Sequence, residues 1–369
     1  MTDCVVIGGG VVGMFTAREL RAAGASVLLL ERGHTGRESS WAGGGILSPL
    51  YPWRQPAPVS ELVRWSQSQY VTLAGALRDE TKFDPEWTRC GMLVLGAEDC
   101  LEATRWADRF GVAMEMMRGE KMLRCEPALA AGHEQGLWLP QVDQIRTPRL
   151  NKALRESLSA AGVVVREHCE VKTIRQHKGK VQGVETDRGF IAARTVIVAS
   201  GAWSATLLAP LGVSIPVRPI RGQMIVIRGR PGELKRILLR EGRYVIPRRD
   251  GRVLVGSTVE DVGFDKGVTE EARKELYAAA LQLAPSLSKG VIEHQWAGLR
   301  PGTPRSVPFV GVCPQIEGLW VNTGHFRNGL VLAPASARIL VDMLLGRPSF
   351  TDTVPFALPN KVATPLNVV

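Results

Sequence analysis

Long hydrophobic runs are missing from this chain of 369 residues. No apolar stretch reaches the roughly 18 residues that a membrane-spanning helix needs. The opening Met1-Thr2-Asp3 carries no positive region, and the apolar run behind it ends at once in glycines. Neither a secretory leader nor a membrane anchor is expected, and the reading is cytoplasmic. Cysteine is sparse and scattered, with six residues and no C-x-x-C pair. That excludes a zinc ribbon or disulfide framework and fits a reducing compartment. Lysine is scarce beside arginine, and no basic run exceeds two residues, as in Arg248-Arg249. The net charge of +10 is therefore spread thin, which reads as a solvated basic surface rather than a nucleic-acid site, with an anionic partner as the alternative. Ser-His-Asp sets, paired carboxylates, metal-ligand spacings and internal repeats are all lacking. A chain 45% hydrophobic and 22% charged is globular, not disordered, collagen-like or coiled-coil. Its length predicts two domains or one large two-layer enzyme.

What is present begins at the N-terminus. Cys4-Val5-Val6-Ile7 is an apolar, β-branched run that reads as a buried parallel strand. Gly8-x-Gly10-x-x-Gly13 follows, then a helical pattern from Val11 to about Ala23, stopped by Gly24. Ser26 to Leu30 is a second apolar strand, ending in Glu31. Each part has a physical task. Gly8 permits the strand-to-helix turn, Gly10 lets backbone approach a pyrophosphate, and Gly13 lets helix and sheet pack closely. The helix N-terminus offers N–H groups and a positive dipole end to phosphates. A carboxylate at Glu31 suits ribose hydroxyls and argues against a 2′-phosphate. The glycine motif alone is weak evidence. With both strands, the helix and the acid in place, it predicts dinucleotide binding.

Ser39-Ser40-Trp41-Ala42-Gly43-Gly44-Gly45-Ile46 is a small-residue loop, read on its own as either a linker or a surface for a large planar ring. Here the chain resembles the D-amino acid oxidase-like family of FAD enzymes. The resemblance implies FAD contacts from Gly8, Gly10, Val11, Val12, Gly13, Glu31, Arg32, Ser39, Ser40, Gly44, Gly45 and Ile46, with Ser48 on the substrate side. Thr195 to Ser204, a buried strand running into Gly201, resembles the second FAD fingerprint of that family. By that resemblance Val171 meets the adenine and Gly201 lies near the FAD.

The rest gives an α/β chain, α+β overall. The resemblance makes it an FAD-binding Rossmann-like domain (1–84, 146–219 and 296–358) with a second, mainly antiparallel-sheet substrate domain (85–145 and 220–295). Helical patterns cover 60–80, 101–110, 120–125, 149–161 and 270–283. Strand patterns cover 87–95, 136–140, 163–165, 170–174, 181–186, 190–193, 222–227, 244–247 and 252–257.

Three further stretches carry chemistry: Arg243-Tyr244-Val245-Ile246-Pro247-Arg248, Trp296-Ala297-Gly298-Leu299-Arg300-Pro301-Gly302-Thr303 and Gly324-His325-Phe326-Arg327-Asn328-Gly329-Leu330. They are similar to the glycine oxidase branch of the same family. The resemblance implies that Arg300 clamps a substrate carboxylate, Tyr244 donates a second hydrogen bond to it, and Arg327 lies beside substrate and flavin. His325, Phe326, Arg327, Asn328, Gly329, Leu330 and Val331 would line the FAD. A guanidinium fork orients a carboxylate and hence the α-carbon. A helix from Gly329 would aim its positive end at the charge of reduced flavin. Read blandly, Tyr244 is a strand tyrosine, Arg300 braces a turn, Arg327 pairs with an acid, and His325 is structural. No second tyrosine is found over the substrate. Val259 stands at a pocket position that is Met in the branch. The nearest cysteine to the Arg300 stretch is Cys313, so noncovalent FAD is expected.

These features predict an FAD-dependent oxidase of glycine, sarcosine and small D-amino acids. A hydride leaves Cα for flavin N5, an imine forms, and O2 becomes peroxide. The imine either hydrolyses or is used directly for thiamine thiazole synthesis. The alternatives are a D-amino acid dehydrogenase that reduces a quinone and a tRNA-modifying flavoprotein. The expected partners are a small amino acid and O2, with no nucleic acid, membrane or metal, and a homo-oligomer is implied by the resemblance.

Overall fold

The computed structural model describes residues 2–359. Two apolar segments set its first layer. Thr2–Ile7 and Val27–Leu30 are buried along almost their whole length rather than on alternate residues, as strands covered on both faces must be. They pair in parallel, Val6 opposite Leu29. On the other side of Thr2–Ile7 lies Gly189–Val198, also parallel, with Val6 opposite Ile197. Leu319–Thr323 and then Phe309–Val312 extend that edge, and Val164–Arg166 closes the opposite one. The chain thus leaves Thr2–Ile7 for neighbours on both sides. The C-terminal ends of the parallel strands open on one crevice, where ligands of such sheets gather. Helices Val11–Ala22, Ala57–Thr81, Thr147–Ala160 and Gly329–Leu344 cover one face in a common core with Leu20, Leu62, Leu154 and Leu340. The hairpin Val171–His177 and Lys180–Thr186 covers part of the other.

The second sheet has eight strands, in the order Val291–Gly302, Arg218–Arg228, Arg252–Gly256, Arg243–Pro247, Ile237–Arg240, Met92–Leu95, Gln135–Leu139 and Glu115–Arg118. It is antiparallel except where Ile237–Arg240 meets Met92–Leu95. Side chains alternate through it. Val245 packs toward helix Glu270–Leu283 with Leu276 and Leu283. Its neighbours Tyr244 and Ile246 face the opposite way, with Met224. That second face looks into the crevice of the first sheet.

Several elements depart from the sequence reading. The strand expected over 87–95 is broken into Thr88–Arg89 and Met92–Leu95. Gly91 at the break has a φ of +69°, and a Cβ there would lie 2.0 Å from the Trp138 ring. Segment 190–193 and the strand read from Thr195 form the single strand Gly189–Val198, which serves the hairpin with one half and the parallel sheet with the other. Ser39–Ala42, read as loop, makes one helical turn. Val291–Gly302, Ile237–Arg240, Phe309–Val312 and Leu319–Thr323 are strands that the pattern did not reveal.

Candidate active site

A cavity of about 560 Å³ runs from Glu31 and Val171 at one end to Tyr244, Arg300 and Arg327 at the other. Its near end is built by the glycine motif. Gly8 has a φ of +110°, and a Cβ on it would sit 2.5 Å from the Ala199 carbonyl oxygen. A Cβ on Gly13 would sit 1.9 Å from the Gly8 carbonyl oxygen. Only glycine lets strand, turn and helix meet here. Helix Val11–Ala22 begins at Gly10 with no side-chain cap and no acid in its first turn, so its positive end is left for an anion. The Val11 N–H donates to Ser40 Oγ at 2.8 Å, which ties the Ser39–Ala42 turn to this helix. Glu31 accepts from the Gly9 N–H at 2.8 Å and the Gly33 N–H at 2.9 Å. Its carboxylate is held at the cavity wall with lone pairs left for ribose hydroxyls. Gly43, Gly44, Gly45, Gly201 and Gly298 add wall made of backbone rather than side chain. A long cavity with a glycine floor and helix termini fits an extended dinucleotide such as FAD.

At the far end the second sheet supplies Arg300, and the turn Phe326–Asn328 before helix Gly329–Leu344 supplies Arg327. Arg300, paired with Ile220, donates to the Thr258 carbonyl at 3.0 Å and to Ser257 Oγ at 2.7 Å. Arg327 reaches the same Ser257 Oγ at 3.5 Å. Neither guanidinium hydrogen-bonds a carboxylate among the described residues. Burial, then the neighbouring Arg327, lowers the Arg300 pKa to about 10. Burial likewise lowers that of Arg327. Two guanidinium groups thus meet at one end of the cavity, which suits an anionic ligand. Glycine floors shape it. A Cβ on Gly222 would lie 2.0 Å from the Arg300 guanidinium, and one on Gly256 would lie 2.6 Å from the Tyr244 hydroxyl. That hydroxyl finds only Met224 Sδ, at 3.9 Å, and is free to donate to a ligand.

Helix Gly329–Leu344 starts at the cavity with no acid in its first turn. The Tyr70 hydroxyl donates to the Leu330 carbonyl at 2.5 Å and steadies that start. His325 is buried, and its Nε2 lies 3.0 Å from Ser336 Oγ. Burial lowers its pKa to about 3. A neutral imidazole facing a serine is not placed to act as a base, while the residue also borders the cavity.

Most residues expected at the site line this cavity: Gly8, Gly10, Val11, Val12, Glu31, Arg32, Ser39, Ser40, Gly44, Gly45, Ile46, Ser48, Val171, Gly201, Tyr244, Arg300 and His325 through Leu330. Three do not. Gly13 lies beneath Gly8, and Val331 is buried in the helix core. Val259 is half exposed, with 50% of its surface open. The apolar wall beside Tyr244 is Met224 instead. Period two along 222–227 carries that signal, since it puts Met224 on the face of Gly222. Tyr51, Arg54 and Gln55 were also missed. Tyr51 is a second tyrosine on the cavity wall, its hydroxyl accepting from the Gly242 N–H at 2.9 Å. Gln55 accepts from Asn328 at 3.2 Å, and Arg54 is paired with Asp99 at 2.6 Å. The aromatic, proline-bounded Tyr51-Pro52-Trp53-Arg54 stretch was the available clue.

A strap from the second sheet crosses to the rim of the dinucleotide end. Between strand Arg252–Gly256 and helix Glu270–Leu283, Glu260 exchanges backbone hydrogen bonds with Arg221 at 2.8 and 3.0 Å. Phe264 stacks on Trp203 with centroids 5.6 Å apart, and the Arg32 guanidinium lies over the same indole at 3.9 Å. Lys266 reaches Glu38 at 3.2 Å. Arg32, Glu38 and Trp203 all belong to the cavity wall.

The FAD dependent oxidoreductase (DAO) family matches residues 3–343. Glycine oxidase of Pseudomonas aeruginosa is 47% identical over 354 residues, covering 96% of this chain and 97% of that relative. The bifunctional protein ThiO/ThiG of Synechocystis sp. is 32% identical across 93% of this chain, a match that covers 52% of that relative. The crystal structure of glycine oxidase from Geobacillus kaustophilus superposes with a TM-score of 0.94 at 28% identity, over 98% of this chain and 99% of that one.

Proposed function

The chain belongs to the FAD dependent oxidoreductase (DAO) family, and on that premise we propose that it is an FAD-dependent oxidase of glycine and other small amino acids. The observation that carries the substrate class is the pair of half-buried arginines that share Ser257 and hydrogen-bond no carboxylate among the described residues. A small amino acid places its carboxylate on the Arg300 fork and accepts a hydrogen bond from Tyr244. Arg327 borders the bound molecule. Two cations disfavour a third beside them, so they push the substrate amine toward its neutral form. That form holds the lone pair which lets the Cα–H bond break with its electrons. FAD, held along the cavity by the glycine motif, Glu31 and the Gly44–Ile46 wall, would supply the acceptor for that hydride and the two-electron chemistry that turns O2 into H2O2. No protein base is needed, in keeping with the neutral, engaged His325. The imine left on the substrate is hydrolysed or handed on. A relative that carries two activities in one chain supports handing it on, as the thiazole step of thiamine synthesis requires.

Residues 1–84, 146–219 and 296–358 are read as the cofactor lobe and 85–145 with 220–295 as the substrate lobe, although strands Arg218–Arg228 and Val291–Gly302 of the second sheet run across those boundaries. FAD is read as held without a covalent bond: Cys313 is buried against Gln315 and does not line the cavity, and Cys169, which does, lies beside Val171 at the dinucleotide end. A cytoplasmic location and a homo-oligomer complete the reading. The test is the absorbance of the purified protein, followed on anaerobic addition of glycine, sarcosine and D-proline. Flavin bands that bleach and then return with peroxide on admitting air are expected. Bleaching without return in air points instead to a dehydrogenase, and flavin that no small amino acid bleaches overturns the substrate class.

A further inference from the structure

Arg248 is a buried cation that the chemistry above does not use. Its side chain is enclosed and reaches no carboxylate. Nη2 donates to the Gly44 carbonyl at 2.6 Å. Nη1 donates to Gln144 Oε1 at 2.5 Å and to the Ile145 carbonyl at 3.3 Å. Nε has no hydrogen-bond partner. Burial, then the charge of Arg146, lowers its pKa to about 10, which leaves it protonated at neutral pH. The segment it grips is cavity wall. Gly44, Gly45 and Ile46 line the middle of the cavity, between the glycine motif and the two substrate arginines. A Cβ on Gly45 would sit 2.0 Å from the Ile145 carbonyl oxygen and 3.3 Å from Arg248 Nη2, so backbone and guanidinium are packed without a spacer. The ring of an extended FAD falls in this middle stretch if its phosphates lie at Gly10.

We infer that Arg248 is a positioning and charge-supplying residue for the flavin, set one peptide layer behind the ring, where its positive charge favours the electron-rich reduced form. It draws the Gly44 carbonyl away from the cavity. The ring then meets glycine N–H and Cα rather than a carbonyl oxygen, with a full charge behind them in a low-dielectric setting. The helix terminus at Gly329 meets the cavity from the first lobe, so the two lobes each contribute a positive end. This inference rests on the FAD reading of the cavity.

Sulfite is the probe. It adds to flavin N5, places negative charge on the ring and bleaches its absorbance, so its Kd reports how well the site stabilises that charge without any amino acid present. The holoenzyme is compared with Arg248→Gln, which loses the charge, and Arg248→Lys, which keeps the charge but loses the fork. Weakening of sulfite binding on the order of tenfold in Arg248→Gln, with little change in Arg248→Lys, is the expected result. Unchanged sulfite affinity in flavin-loaded Arg248→Gln overturns the inference. Equal weakening in both variants, or loss of flavin from both, also overturns it by showing that the hydrogen bonds and not the charge matter. If only Arg248→Gln fails to keep its flavin, Arg248→Lys decides alone: retained sulfite affinity supports the charge and a lost one refutes it. A wild-type protein without flavin defeats the FAD reading itself, a separate failure.

Discussion

In the proposed function, substrate recognition turns on Arg300. Truncating one member of a buried charge pair costs about 3 kcal/mol, so Arg300→Ala should lower kcat/KM for glycine by about two orders of magnitude while FAD stays bound. Steady-state kinetics with the flavin spectrum alongside check this, and unchanged kinetics refute the carboxylate clamp. Gly222 offers an independent probe of the same geometry. A Cβ there lies 2.0 Å from the guanidinium, so Gly222→Ala should raise KM, although it adds only one methyl group. His325 governs a different quantity. Burial lowers its pKa in the folded chain to about 3 from the ordinary histidine value of about 6.5. The unfolded chain therefore takes up the proton first as pH falls. Stability is full above about pH 6.5 and declines by about 1.4 kcal/mol per pH unit toward pH 3. Paired carboxylates such as Glu80, lowered to about 2 by Arg18, add their losses only as pH falls below about 4.5. Thermal melts of wild type and His325→Asn between pH 7 and 5 should diverge, with the variant flatter.

Among the elements, the strap over Trp203 makes its own prediction. An aromatic stack is worth about 1 kcal/mol and an exposed ion pair up to about 1 kcal/mol. Removing both in Phe264→Ala/Lys266→Ala should speed FAD release by about tenfold, read as recovery of flavin fluorescence on dilution, with kcat at saturating FAD unchanged. No change in release would leave the strap an ornament of the rim. Elements were legible where burial follows one period. Thr2–Ile7, helix Val11–Ala22 and helix Glu270–Leu283 announce themselves through continuous or helical apolar spacing. Val291–Gly302 does not, because Gly298, Pro301 and Gly302 interrupt its pattern, yet its register with Arg218–Arg228 is what aims Arg300. Ser39–Ala42 looked like loop because a single turn is too short to show periodicity.

For the molecule as a whole, the cofactor half of the site could be read almost completely, since its glycines answer to local backbone geometry. The substrate half could be read only at its charged residues. Whether a side chain on the second sheet faces the crevice or the solvent depends on strand register, which one sequence does not state. This is why Met224, on strand Arg218–Arg228, was not expected at the pocket; Ser257 and Val259 lie just past the end of strand Arg252–Gly256 and Tyr51 lies outside the sheet, where no period places a side chain. The same long reach has a consequence for how the protein is made. Thr2–Ile7 lies beside Gly189–Val198, which lies beside Leu319–Thr323. The Ser39 hydroxyl bonds the Leu299 carbonyl, and that of Tyr70 bonds Leu330. The first part of the cavity to leave the ribosome therefore waits for the last. A chain ended after Gly318 should take up no flavin, which its absorbance would reveal. Cofactor loading is then an event in the life of the finished polypeptide, set by FAD supply rather than by the pace of translation.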